Sequence, residues 1–206
     1  MSQLFTQTSF APVALGFFGL AIGYLIVGGT QVLPAPSRSR LDDEDPSALA
    51  RSAGVWMFWM PGFLQFVTGI ILMIGLTWFD VFEKSPPLYM AALAFSAYGV
   101  HWFALGYRRF SGSSEFPEGF MALGYIVLSV LGAIVFFIEG RDVPVAILFV
   151  LLSVIYLIEA PTKLGFLGRE LGEKAIAWTQ VVTGAWLLYL TFAYTLNVTS
   201  DTTLWV

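Results

Sequence analysis

The chain has 206 residues; 57% are hydrophobic, 17% aromatic and 12% charged, and the formal net charge is −4. A soluble domain carries about 25% charged residues, so the composition excludes a water-soluble enzyme and a disordered regulator, and the negative balance excludes a nucleic-acid binder. The absence of Cys and the presence of one His exclude disulfides, thiolate chemistry, a bis-His haem and a multi-His metal centre.

The apolar runs are long and continuous rather than alternating, and backbone in hydrocarbon must satisfy its own hydrogen bonds. The sequence therefore predicts an all-α polytopic membrane protein, a single domain over residues 1–206. Six transmembrane helices are expected at about 10–29, 54–79, 87–107, 118–138, 143–160 and 175–196. The first run has no Lys or Arg before it and exceeds the apolar core of a signal peptide, so it reads as a mature span. Gly16, Gly19 and Gly23 give it a small face, including a GxxxG pair. Such faces let membrane helices approach closely; the reading is bundle packing, with subunit contact as the alternative.

The loop over 30–53 holds Pro34, Pro36, a Ser-Arg alternation and the acidic run Asp42-Asp43-Glu44-Asp45. It reads as a solvated excursion; a charged vestibule or a partner dock is the sharper alternative. The second span carries Pro61, Gln65 and Thr68. The third opens at Pro87, a residue suited to a first turn, and carries Ala92, Gly99 and Gly106 at intervals of seven, with Ser96, Tyr98 and His101. His101 shares a face with Tyr98 at i+3. It reads as a neutral His bonded to a neighbouring helix, with a pH-sensitive pore residue as the alternative. The fifth span carries Ser153, Tyr156 and Glu159 and is expected to stop at Pro161; Glu159 reads as an end-of-helix carboxylate at the membrane interface. The sixth carries Thr179, Gln180, Thr183 and Tyr189. Gln65 to Gly69 and Gln180 to Gly184 share one pattern, read as convergent packing chemistry rather than duplication. The Asn197-Val198-Thr199 sequon lies too close to the bilayer to be more than a chance match.

No charged residue lies in the middle of a span. That excludes a voltage sensor, a retinal-type Schiff base and a carboxylate proton relay. A conduit lined by amide, hydroxyl and aromatic groups suits a small neutral or weakly charged solute, not a metal cation. No nucleophile–base pair or phosphate loop is visible, so no enzyme activity and no cofactor are expected. Arg38, Arg40, Arg51, Arg108, Arg109, Lys163, Arg169 and Lys174 fall on one side, and only Lys84 and Arg141 on the other. The charge bias places the first side in the cytoplasm and both termini outside.

Three segments resemble the acetate/succinate uptake transporters. Ala11-Pro12-Val13-Ala14-Leu15-Gly16-Phe17-Phe18-Gly19 is similar to their N-P-A-P-L-G-L-x-G-F opening, with Ser9-Phe10 where they carry Asn-Pro. Pro61-Gly62-Phe63-Leu64-Gln65 with Gly69 resembles their F-Y-G-G-x-x-Q-x-x-x-G segment. Ala94-Phe95-Ser96-Ala97-Tyr98-Gly99-Val100-His101-Trp102 is similar to their A-F-x-S-Y-G-x-F-W, with His101 at the second Phe. The resemblance implies a hexamer of six-helix protomers, each with its own pore pinched by a Phe, a Tyr and a Leu. Carried over, these fall on Phe18, Tyr98 and Leu152, with Pro12 at a substrate-facing entrance. It also implies termini inside, against the charge count. The helix 3–4 loop with its arginines, and Gln180 with Ala185-Trp186, resemble instead the acid-gated urea and short-chain amide channels, hexamers whose termini lie outside.

The expectation is an integral protein of the plasma (inner) membrane that passes a small monocarboxylate such as acetate, with Phe18, Tyr98, Leu152, Pro12, Gln65 and His101 as pore or substrate residues. Its partners are a small organic solute, the lipid bilayer and copies of itself. A urea or amide channel is one alternative, and a non-transporting subunit of a larger complex another.

Overall fold

A computed structural model of the chain describes residues 10–33, 45–82, 84–200 and 202–206. Pro34, Pro36, Arg38, Arg40 and the acidic residues Asp42, Asp43 and Glu44 lie outside the described residues. The described residues form helices and connecting turns, with no strand among them. Six helices are long and apolar enough to cross a bilayer, as an integral membrane protein requires. They are α1 (Phe10–Val32), α2 (Pro46–Thr77), α3 (Pro86–Ser111), α4 (Phe116–Gly140), α5 (Val143–Lys163) and α6 (Arg169–Thr199).

The apolar cores of the helices lie where hydropathy puts them, but three ends differ. α2 starts at Pro46, well before position 54, because Asp45 accepts from the Ser47 N–H at 2.9 Å and Pro46 suits the first turn. α6 starts at Arg169, where Arg169–Glu173 and Glu170–Lys174 pairs brace a polar first turn at i,i+4. α5 runs through Pro161 to Lys163. A proline removes one i→i−4 bond, from its own missing N–H, and in the last turn that loss is small. The Pro161 carbonyl is then taken by the N–H groups of Phe166 and Leu167, at 2.8 and 3.0 Å.

Pro61 has a larger effect inside α2. Residues Phe58–Phe63 widen into a π-helical turn around it, the usual response when an i→i−4 donor is missing mid-helix. The proline ring projects against Gly23 of α1, where an added Cβ would lie 2.5 Å from Pro61 Cγ.

The six helices form a closed ring in chain order. Each packs on its neighbours in sequence, and α6 returns to α1 in a contact larger than the one α1 makes with α2; the α2–α3 seam is the most extensive and the α3–α4 seam the lightest. The small residues sit at the crossings. A Cβ on Gly19 would meet the Met60 carbonyl at 2.6 Å, one on Gly99 the Phe66 nitrogen at 2.5 Å, and one on Gly106 the Gly54 carbonyl at 2.6 Å. These glycines therefore bring the backbones of α1, α2 and α3 together within one protomer. Asn197 is engaged at the end of α6: its side chain donates to the Leu204 carbonyl at 2.8 Å and accepts from the Leu204 N–H at 2.9 Å.

Candidate functional site

The ring encloses two cavities that open toward opposite ends and share one axis. The first holds about 360 Å³ and opens at the end bearing Glu139 and Asp142. The second, also about 360 Å³, opens at the end bearing Arg108, Arg109, Lys163 and Arg169. On α1 the first cavity takes Val13, Phe17 and Leu20 and the second Val27 and Gln31; on α3 they divide between Tyr98 and Trp102; on α5 between Leu152 and Glu159.

Between them lies one layer of large, buried side chains: Tyr24, Tyr98, Trp102, Tyr156 and Leu187. Tyr98 stacks on Tyr125 at 5.2 Å and on Tyr156 at 6.0 Å, and Tyr24 meets Trp102 edge-on at 5.3 Å. The Tyr98 hydroxyl shares a 2.7 Å hydrogen bond with Ser129 of α4. At about 1.5 Å of rise per residue, the four residues from Tyr98 to Trp102 and the seven from Leu20 to Val27 make this layer about 6–10 Å thick.

Of the residues expected at the pore, Tyr98, Leu152 and Gln65 line the first cavity together. Phe18 does not. It is 39% exposed on the outer face, whereas Phe17 is buried, lines the cavity and sits 5.5 Å from the Phe95 ring and 5.8 Å from Tyr194. Successive helical residues differ by about 100° in direction, so a shift of one position turns an inward ring outward. Pro12 also stands outside the cavity lining; its carbonyl accepts from the Thr68 hydroxyl of α2 at 2.8 Å. His101 is buried but lines neither cavity, and its Nδ1 has no hydrogen-bond partner among the described residues. Rather than bonding to a neighbouring helix, it lies against Tyr125 at 4.8 Å and Tyr156 at 5.8 Å. Glu159 does lie near the end of α5, which runs to Lys163, but it faces inward: it is buried and lines the second cavity.

Most hydroxyls within the long apolar helices are spent on their own backbone. Ser96 bonds the Ala92 carbonyl at 2.8 Å, Ser153 that of Phe149 at 2.9 Å and Thr183 that of Thr179 at 2.7 Å. This is the i−4 back-bond open to Ser and Thr in helices. The two glutamines differ. Gln65 in the first cavity and Gln180 in the second each keep a buried Oε1 with no hydrogen-bond partner. Each presents an acceptor to whatever occupies its cavity.

The electrostatics of the two mouths differ. Glu139 and Asp142 are the charged residues of the first cavity, and Asp142 is held by the Tyr194 hydroxyl at 2.5 Å. The second is braced by ion pairs across α3, α4, α5 and α6. Arg108 pairs with Glu118, Lys163 with Glu115 at 2.6 Å, and Arg169 with Glu115 at 2.6 Å and Glu173 at 2.9 Å. Burial pushes the Glu115 carboxyl up, but Lys163 and Arg169 outweigh it and hold the carboxyl below its ordinary value of 4.5. A carboxyl depressed in the folded state stabilises it above the unfolded pKa and loses that contribution as pH falls through the folded pKa. Glu115→Gln should therefore lower the melting temperature near pH 7, and the gap to wild type should close as pH drops below about 4.5. A pH series of thermal melts checks this; a gap that persists in acid would remove Glu115 from the clasp.

No protein-family model matches the chain, and comparison with curated proteins and with solved structures returns no match. The candidate site therefore rests on its own geometry: two opposed chambers, an aromatic partition, and an acceptor amide in each chamber.

Proposed function

We propose that this chain passes a small, uncharged, planar solute along the axis of its helical ring, the aromatic layer parting to let it through. The observation that carries this reading is the pair of coaxial cavities divided by a single layer of side chains. A layer about 6–10 Å thick is about the length of one small molecule. Wide apolar walls with a few convergent polar groups are the ordinary make-up of a small-molecule site.

The solute we favour is a short monocarboxylic acid such as acetic acid, crossing in its protonated form. An anion is disfavoured at the first mouth, where Glu139 and Asp142 line the cavity and no Lys or Arg does. The neutral acid avoids that repulsion and offers an O–H to Gln65 Oε1. One observation also favours an amide or urea: the unpaired oxygens of Gln65 and Gln180 accept an N–H equally well. Both readings share one path and differ in the head group. By charge bias the end with Arg108, Arg109 and Lys163 faces the cytoplasm.

Flux into proteoliposomes tests the reading, with acetate, acetamide and urea compared in parallel and acetate followed from pH 5 to pH 8. Acetate influx above the protein-free background, rising as pH falls with the protonated fraction, is the expected result. Acetamide crossing without acetate would move the assignment to the amide channel. No flux of any solute would leave a membrane subunit that does not transport.

A further inference from the structure

We infer that the second cavity is a binding site for a small monocarboxylate anion, with Arg109 as the group that holds its carboxylate. The inference takes the solute class from the transport reading and rests on it to that extent, but binding is read without flux.

Arg108, Lys163 and Arg169 are all committed to Glu118, Glu115 and Glu173. Arg109 is not. Among the described residues it makes no ion pair, and its Nε is buried without an acceptor. It lines the second cavity with Gln180, whose buried Oε1 is likewise unmatched. Glu115, Glu118 and Glu173 act on Arg109 without pairing with it; a buried guanidinium N–H left without an acceptor is costly, and a carboxylate that supplies one relieves the cost. The planar fork of Arg matches two carboxylate oxygens and fits a sphere or a point charge poorly. A cavity of about 360 Å³ exceeds the roughly 30 Å³ share of one water many times over. It admits a ligand of a few heavy atoms together with a water that donates to Gln180 Oε1.

The neighbouring carboxylates narrow the charge. Glu159 lines the same cavity and makes no ion pair among the described residues, and Glu115, Glu118 and Glu173 lie beside it. A dianion such as phosphate meets this repulsion with twice the charge, so a single negative charge is the one the site accepts. A neutral acid that reaches this chamber and gives its proton to solvent at the open mouth becomes the carboxylate that Arg109 retains.

The test is isothermal titration of the purified full chain in nanodiscs with sodium acetate, sodium phosphate, sodium chloride and acetamide. Wild type should bind acetate and not phosphate or chloride. Arg109→Gln should weaken acetate roughly tenfold or more, as expected for a charge-assisted pair, while acetamide affinity stays within about threefold. Arg109→Lys keeps the charge without the fork and should fall in between; it carries the test should Arg109→Gln not fold. Acetate affinity unchanged in a folded variant would overturn the assignment, as would phosphate or chloride binding as tightly as acetate. Binding without flux would leave the site standing and remove the transport reading; flux without Arg109-dependent binding would do the reverse.

Discussion

Gly99→Leu is expected to leave little folded protein, whereas Gly124→Leu should behave like wild type. A Cβ at position 99 would lie 2.5 Å from the Phe66 nitrogen and 2.7 Å from its Cα, so the obstacle is backbone and has no rotamer by which to yield. Relief requires α2 and α3 to separate. That opens the crossing where Gly106 lies against Gly54 and disturbs the ring between them. Overpacking costs about 1–3 kcal/mol, sometimes more, against a total stability of about 5–15 kcal/mol. A rigid backbone collision belongs at the upper end. Nothing lies within 4 Å of a Cβ on Gly124, so leucine there meets no neighbour in its own protomer. Yield of monodisperse protein and thermal midpoint in detergent decide the matter. Equal stability of the two variants would remove the close α2–α3 crossing from the fold.

Tyr98→Ala should join the two cavities and raise solute flux, and Tyr98→Phe should not. The tyrosine is the one expected pore residue that sits in the partition itself, stacked on Tyr125 and Tyr156 and tied to Ser129. Truncation deletes a buried ring, typically at about 3–5 kcal/mol, and leaves a gap across the dividing layer. If parting that layer limits passage, lowering the barrier by about 1.4 kcal/mol gives roughly tenfold faster flux. Phenylalanine keeps the ring and loses only the Ser129 bond, about 1 kcal/mol of stability. Liposome flux normalised to inserted protein separates the two. A folded Tyr98→Ala chain with wild-type flux would place the path elsewhere.

Helix existence was legible from hydropathy because a spanning run needs about 20 apolar residues and little else. The ends were less so. The first turns of α2 and α6 are polar, and their signals are an Asp-Pro cap and i,i+4 charge pairs, which hydropathy does not register. The site was half legible. Tyr98, Leu152 and Gln65 meet at one cavity, but motif alignment points to Phe18, and only the inward stripe Val13, Phe17, Leu20, Tyr24 and Val27 picks the ring that lines it. That three-and-four spacing was present in the sequence. It competed with a run so apolar throughout that no face stands out by hydropathy. In sequence, Arg109 and Glu159 read as loop and end-of-helix charges because they lie near helix termini. Their inward direction depends on where α3 and α5 stand in the ring, which no local pattern encodes. The same holds for the hydroxyls: Ser153 and Thr183 look like pore chemistry in sequence and are bonded to their own helices in space.

The extensive embrace of α1 by α6 ties the order of synthesis to the making of the chamber. A ribosome delivers α1 first and its chief neighbour last, so until α6 emerges the nascent chain is an open arc of at most five rods with one flank of α1 bare. Enclosure waits for a stretch encoded some 150 codons downstream, a late closure of the kind that high contact order imposes. A chain halted before Arg169 thus keeps five helices long and apolar enough to cross a membrane and has no wall between α5 and α1.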